Sequence, residues 1–196
     1  DISMDFVEGL PNSHGKTVIL VVVDRLSKYT HFIALSHPYT AVEVAQAFLD
    51  TIYKLHGMPK SIVSDLDPIF TSNFWREMFR LQRTKLNLST SYHPQTDGQT
   101  EVGNRCLEGY LRCMTGDRPK AWAHWLPLAE WWFNTNYHTA TKLTPYQVVY
   151  GRVPPSHIHY ITGVSNMAAV DQWGRDREAT LKLLKEYLVQ AQNRMK

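Results

Sequence analysis

The chain has 196 residues and a mass of 22.7 kDa, with 43% apolar, 12% aromatic and 20% charged residues; that is enough to bury the core of one large domain and excludes wholesale disorder. A formal net charge of +3 permits a polyanionic partner without requiring one. Cys106 and Cys113 are the only cysteines, which excludes a disulfide framework and suits a reducing compartment, and the longest purely apolar run, residues 18–23, is far too short to cross a bilayer.

The chain opens at Asp1 in mid-pattern, without Met, and reads as a piece of a longer protein. Ile2–Val7 is a short strand holding one acid, Asp5. Residues 17–23 are β-branched and apolar on both faces, the mark of a central buried strand. After a turn at 25–28, residues 29–35 return as a third strand, making an antiparallel meander. Thr40 and Glu43 form a capping box. Ala45, Phe48, Leu49 and Ile52 follow at helical spacing until Gly57, Met58 and Pro59 stop the helix. Residues 60–64 are a strand running straight into Asp65. Residues 71–82 read as a helix burying Phe74, Met78 and Phe79, and 84–88 as a fifth strand. This order predicts an α/β fold, a five-stranded mixed sheet flanked by helices.

Residues 89–99 read as a polar loop and 100–114 as an amphipathic helix. Residues 119–136 are a further helix with Trp122, Trp125, Ala129, Trp132 and Phe133 on one side, which Pro127 should kink or split. Residues 139–155 look mostly irregular, and 171–196 form a charged C-terminal helix carrying Leu181, Leu184 and Leu188. The tryptophans of 119–136 and the amphipathic tail exceed what one small sheet needs, which predicts self-association.

A carboxylate in a buried-type strand is costly unless something pairs with it, and Asp5 is such a residue. Asp65 stands at a strand end, the edge where α/β sheets place their chemistry. Glu101 opens a helix. Three convergent acids are best explained by a divalent metal, since hard cations take oxygen ligands and cancel the mutual repulsion. At 100° per residue, Glu101, Asn104, Arg105, Glu108 and Arg112 share one exposed stripe of that helix. The stripe could hold metal and phosphates side by side. On pattern alone the commoner reading of such a stripe is a solvated face with Glu101–Arg105 and Glu108–Arg112 pairs.

Asp5, Asp65 and Glu101 have 59 and 35 residues between them. The surrounding words are Ile62-Val63-Ser64-Asp65, Asp67-Pro68-Ile69-Phe70, residues 92–101 (Tyr-His-Pro-Gln-Thr-Asp-Gly-Gln-Thr-Glu), 22–29 (Val-Val-Asp-Arg-Leu-Ser-Lys-Tyr) and Leu143-Thr144-Pro145-Tyr146. Together they resemble the catalytic cores of gypsy-type LTR-retrotransposon integrases, retroviral-like enzymes with a D,D-35-E signature. The resemblance covers about residues 1–155, leaving 156–196 as a linker and C-terminal helix. It implies an RNase H-like fold and a polynucleotidyl transferase, with Asp5, Asp65 and Glu101 catalytic and holding two Mg²⁺ (or Mn²⁺) ions. The implied reaction is 3′-end processing and strand transfer of element cDNA into target DNA. The implied partners are LTR cDNA ends, target DNA and further copies of the chain, with no membrane, in the nucleus and the cytoplasmic virus-like particle.

The matching family loop closes near the DNA end, so Tyr92, Gln95 and Asp97 join Asn104, Arg105 and Arg112 as candidate DNA-binding residues. The chain departs from the family at Leu66, where Arg is usual, and at Gly103, where a bulkier residue is usual. The family's zinc-binding and C-terminal domains have no counterpart in this sequence. The rival readings are a decayed or domesticated core that binds DNA or a partner without cutting, and a ribonuclease of the same fold. Asp24 reads as a structural turn acid, Asp67 as a turn or N-cap acid, and Cys106 and Cys113 as core cysteines.

Overall fold

The computed structural model describes residues 1–88, 94–116, 118–156 and 158–194, without the side chains of 94–102, 180, 184 and 187–194. The most apolar run of the sequence becomes β2 (Val18–Asp24), which lies between two other strands. β1 (Ile2–Val7) pairs with it antiparallel, Asp5 opposite Val21, and β3 (Thr30–Leu35) pairs antiparallel on its other side. Helix α1 (Ala41–Phe48) follows, its Thr40–Glu43 capping box formed as expected. It continues through a π-helical turn (Leu49–Tyr53) and a last turn, α2 (Lys54–His56), to Gly57 at φ 75°. β4 (Ser61–Ser64) then pairs parallel to β1, and β5 (Lys85–Leu88) parallel to β4. The sheet order is β3-β2-β1-β4-β5.

Successive β2 side chains point to opposite faces and so divide the interior into two layers. Val18, Leu20 and Val22 pack with Met4, Phe48, Ile62, Trp75 and Phe79. Ile19, Val21 and Val23 pack with Leu107, Tyr110, Leu111, Trp122 and Leu126 on the other side. Each fully buried side chain of this size contributes about 1.5–3 kcal/mol.

The helix expected over 71–82 is divided. α3 (Pro68–Thr71) is capped by Asp67, as expected of that acid, and α4 (Asn73–Leu81) begins at Ser72, whose extended backbone and hydroxyl cap Trp75 N–H. Starting there turns Trp75 and Phe79, one i,i+4 pair, onto the sheet. Phe74 is left 40% exposed and Met78 partly buried. α5 (Pro94–Thr115) begins six residues earlier than expected, so 94–99 are helical rather than loop; Pro94 suits a first helical turn. α6 (Trp122–Thr135), entered through a 3₁₀ turn at Pro119–Ala121, runs unbroken through Pro127. That residue lies on the exposed side, where water can meet the carbonyl it leaves unpaired. α7 (Pro145–Tyr150) replaces part of the expected irregular stretch; Thr144 and Gln147 form its capping box, with Pro145 at the first position.

α8 (Ala168–Arg194) is fastened to the preceding segment. Asp171 Oδ1 accepts the Tyr160 hydroxyl at 2.7 Å and Gly163 N–H at 2.6 Å, and Glu178 Oε1 accepts Tyr160 N–H at 2.9 Å. The Tyr160 ring lies on Gly174, where a Cβ would come within 2.5 Å of it.

Candidate active site

Asp5 and Asp65 meet because β1 and β4 run parallel with Met4 beside Ser64. The next residue on each chain is the acid, and both are half-buried. Asp65 Oδ1 accepts Asp67 N–H at 3.1 Å. Asp5 Oδ1 accepts Phe6 N–H at 2.8 Å, and its Oδ2 accepts Asn104 Nδ2 at 2.7 Å. A carboxylate only accepts, so the Asn104 amide is fixed with its nitrogen toward Asp5. Its Oδ1 is buried and has no hydrogen-bond partner among the described residues.

Asn104 stands three residues after Glu101, a little under one helical turn, or about 4.5 Å of rise. The bond to Asp5 therefore fastens the stretch of α5 that carries Glu101 to β1, and α5 packs on β1, β2 and β4. The backbone of Glu101 is helical, and its side chain lies outside the described residues. Among the described residues no three His, Cys, Asp or Glu side chains converge as a metal group.

Tyr92 also lies outside the described residues, and Gln95 and Asp97 are described only as helical backbone of α5. Arg105 and Arg112 are exposed, and Arg112 pairs with Glu108 at 3.8 Å, as the i,i+4 spacing predicts. Asn104 does not share their exposed stripe but turns inward to Asp5. Cys106 is exposed and Cys113 half-buried, so neither is a core cysteine. The buried face is set by Leu107, Tyr110, Leu111 and Met114. Those large side chains gain most from burial, and they rotate the helix until Cys106 and Gly109 face outward. Asp24 is structural, as expected: its carboxylate accepts from the Ser27 N–H and hydroxyl at the turn. Leu66 is 54% exposed, and a Cβ at Gly103 would meet nothing within 4 Å.

A mixed sheet of this order, with two acids at the adjoining ends of parallel strands and a helix crossing them, is the RNase H-like arrangement of integrase cores. Residues 2–94 match the integrase core domain family. The Tf2-3 and Tf2-4 transposon polyproteins of Schizosaccharomyces pombe are each 37% identical over 153 residues, 78% of this chain. The chain belongs to the integrase core domain family, as a core of the retrotransposon type. It spans 12% of the length of those polyproteins.

Among solved structures, the fold is similar to a chain of the simian T-cell lymphotropic virus intasome in complex with PP2A regulatory subunit B56 gamma. The TM-score is 0.65 at 22% identity, covering 84% of this chain and 59% of that one. It is similar also to the HTLV-2 integrase catalytic core domain in complex with magnesium in its trimeric form (TM-score 0.60, 21% identity, 75% and 93% covered). The catalytic core domain of BIV integrase gives a TM-score of 0.57 at 23% identity, with 75% and 91% covered. No helix among the described residues is long and apolar enough to cross a membrane.

Proposed function

We propose that the chain is the catalytic core of an integrase that trims the 3′ ends of element cDNA and joins them to target DNA, with residues 1–155 as the core and 156–196 as linker and C-terminal helix. The observation that carries this reading is the 2.7 Å bond from Asn104 to Asp5. It secures the helix bearing Glu101 where β4 delivers Asp65. The donor set is all carboxylate oxygen, which fits a hard divalent cation: Asp5, Asp65 and Glu101 would hold Mg²⁺ or Mn²⁺, two ions per site. When bound, such ions supply an activated oxygen nucleophile and charge stabilisation at the leaving oxygen.

Asn104 orients the Asp5 carboxylate, and the Asp67 N–H orients that of Asp65. Arg105 and Arg112, on the exposed side of the same helix, contact DNA phosphates, with Tyr92, Gln95 and Asp97 near its start. Target preference is weak because phosphate contacts carry little sequence information. The magnesium complex of the HTLV-2 core supports the metal, and its dimeric and trimeric forms and the simian viral intasome support a homo-oligomer working on element ends.

The test is Glu101→Gln in a complete integrase carrying this core. Strand transfer on a labelled duplex should be lost while the fold persists. Millimolar Mg²⁺ should raise the melting temperature of the native chain, since a ligand of the folded form alone stabilises it. The Gln variant, with less repulsion among acids, should melt at or above the native value without metal and gain less from it. Wild-type transfer by the variant would remove Glu101 from the site. An equal Mg²⁺ shift in both proteins would place the metal elsewhere.

A further inference from the structure

Three ionisable side chains from distant parts of the chain meet at the β3 edge of the sheet. His31, on β3, is 6% exposed. Its Nδ1 lies 3.0 Å from Glu130 Oε1 on α6, and its Nε2 lies 2.9 Å from Nε2 of His56 at the end of α2. The other Glu130 oxygen accepts Phe32 N–H at 2.9 Å. His31 and His56 line a cavity of about 490 Å³ together with Asp24, Tyr29 and Lys60.

Proton positions are fixed by elimination. The carboxylate only accepts, so His31 Nδ1 donates to it. A neutral His31 then offers a lone pair at Nε2, which the Nε2–H of His56 fills, and Nδ1 of His56 remains as a proton acceptor. A shared zinc ion would hold the two nitrogens about 3.3 Å apart, given bonds of about 2.0–2.1 Å at a tetrahedral angle; 2.9 Å suits an N–H···N bond. The π-helical turn at Leu49–Tyr53 widens the helix just before His56. One extra residue in a turn rotates the next stretch of helix by about 100°, which carries His56 round toward β3.

We propose that Glu130, His31 and His56 form a proton-bridged latch that fastens the end of the first helix to the sheet and that a second proton releases. The first added proton leaves every bond in place: each ring then carries an Nδ1–H, and the two rings share one hydrogen between their Nε2 atoms. A second has to go to His31 Nε2, and two N–H groups then face each other. His56 is exposed to solvent on its outer side, and partial desolvation of its ring and the neighbouring His31 hold it below its usual value, against the pull of Asp24 and Glu130. Among the described residues Tyr29, leading into β3, also faces the pair, its ring 5.2 Å from that of His31 and 6.1 Å from that of His56, and Tyr150 on α7 stands behind it, 6.0 Å from the Tyr29 ring. Lys60 before β4 and Asp1 before β1 lie across the cavity.

The test uses the whole chain and needs no ligand. Nuclear magnetic resonance of the imidazole rings should show a coupled titration, the second proton binding at least about one pH unit below the first. Amide exchange at 54–57, corrected for its intrinsic pH dependence, should accelerate at least about tenfold from pH 7 to pH 5, with β1 and β2 unchanged. His56→Gln keeps a donor for His31 and does not titrate, so its exchange should be flat. Independent titration of both rings near the usual value of about 6.5 would overturn the latch. So would an acceleration as large in His56→Gln, or one Zn²⁺ shifting both rings at pH 7, which would make the pair a metal site.

Discussion

Asn104 gives one carboxylate a fixed direction. With one Asp5 oxygen on a backbone N–H and the other on the Asn104 amide, the side chain cannot turn freely. Partners that orient metal-binding carboxylates typically account for 10–100-fold in metal affinity or activity. Asn104→Ala should therefore lower strand transfer by about that factor and raise the Mg²⁺ concentration needed for half-maximal rate. Asn104→Asp sets a second negative charge against Asp5, so its melting temperature should fall in chelator and recover more with Mg²⁺ than the native chain does. A variant insensitive to Mg²⁺ would detach Asn104 from the site. One residue before it, Gly103 weakens its helix with no packing reason. Gly103→Ala should stabilise the fold by about 0.5–1 kcal/mol in thermal melts; a loss would mean that the added Cβ is not accommodated.

The strap over α8 depends on an acid held in its charged form. Gly163 N–H and the Tyr160 hydroxyl bond to Asp171 and Arg175 lies 2.7 Å from it, which together hold its carboxyl below the usual 3.8. A depressed acid contributes stability above the unfolded value and loses it as pH falls through the folded one. Exchange at 160–163 should therefore quicken as pH drops below about 4, and Asp171→Asn should show the fast exchange already at neutral pH. Gly174→Ala should do so as well, because the Tyr160 ring must leave. Unchanged exchange in both variants would mean that the segment is held by other contacts.

Elements whose signals are local could be read in the sequence: the β2 run, the Thr40–Glu43 box and the strand ending at Asp65. The box at Thr144–Gln147 is just as local, but the short helix it starts has too few apolar residues to show a period. The division at Ser72 and the rotation of α5 depend on which large side chains reach the sheet. Asp5 and Asp65 were legible because acids at strands are conspicuous. Asn104 was not, because an angular count treats a helix as a free cylinder and cannot say where it rests. His31, His56 and Glu130 carry no pattern at all; their meeting is a product of topology across 99 residues of sequence.

At the scale of the molecule, Trp75 and Trp122 are fully buried, while Trp131 and Trp173 are 45% and 65% exposed. Trp131 borders a shallow apolar groove with Phe32 of β3 and Leu126 of α6. An exposed tryptophan beside such a groove predicts a dimer or larger assembly at high micromolar concentration, with Trp131→Ala shifting it toward monomer. Light scattering at a monomer mass throughout would refute this.

The order of strands also sets an order of events. Within the meander β1 meets β2 at separations from Val7–Ile19 to Ile2–Asp24, whereas β1 meets β4 at Ile2–Ile62. Loop closure must be met before distant contacts repay it, so local pairings lead during refolding. Pulse-labelled amide exchange should find β1, β2 and β3 protected before β4. A nascent chain would then hold a finished meander with a solitary carboxylate, and chemistry would wait for the parallel seam to close.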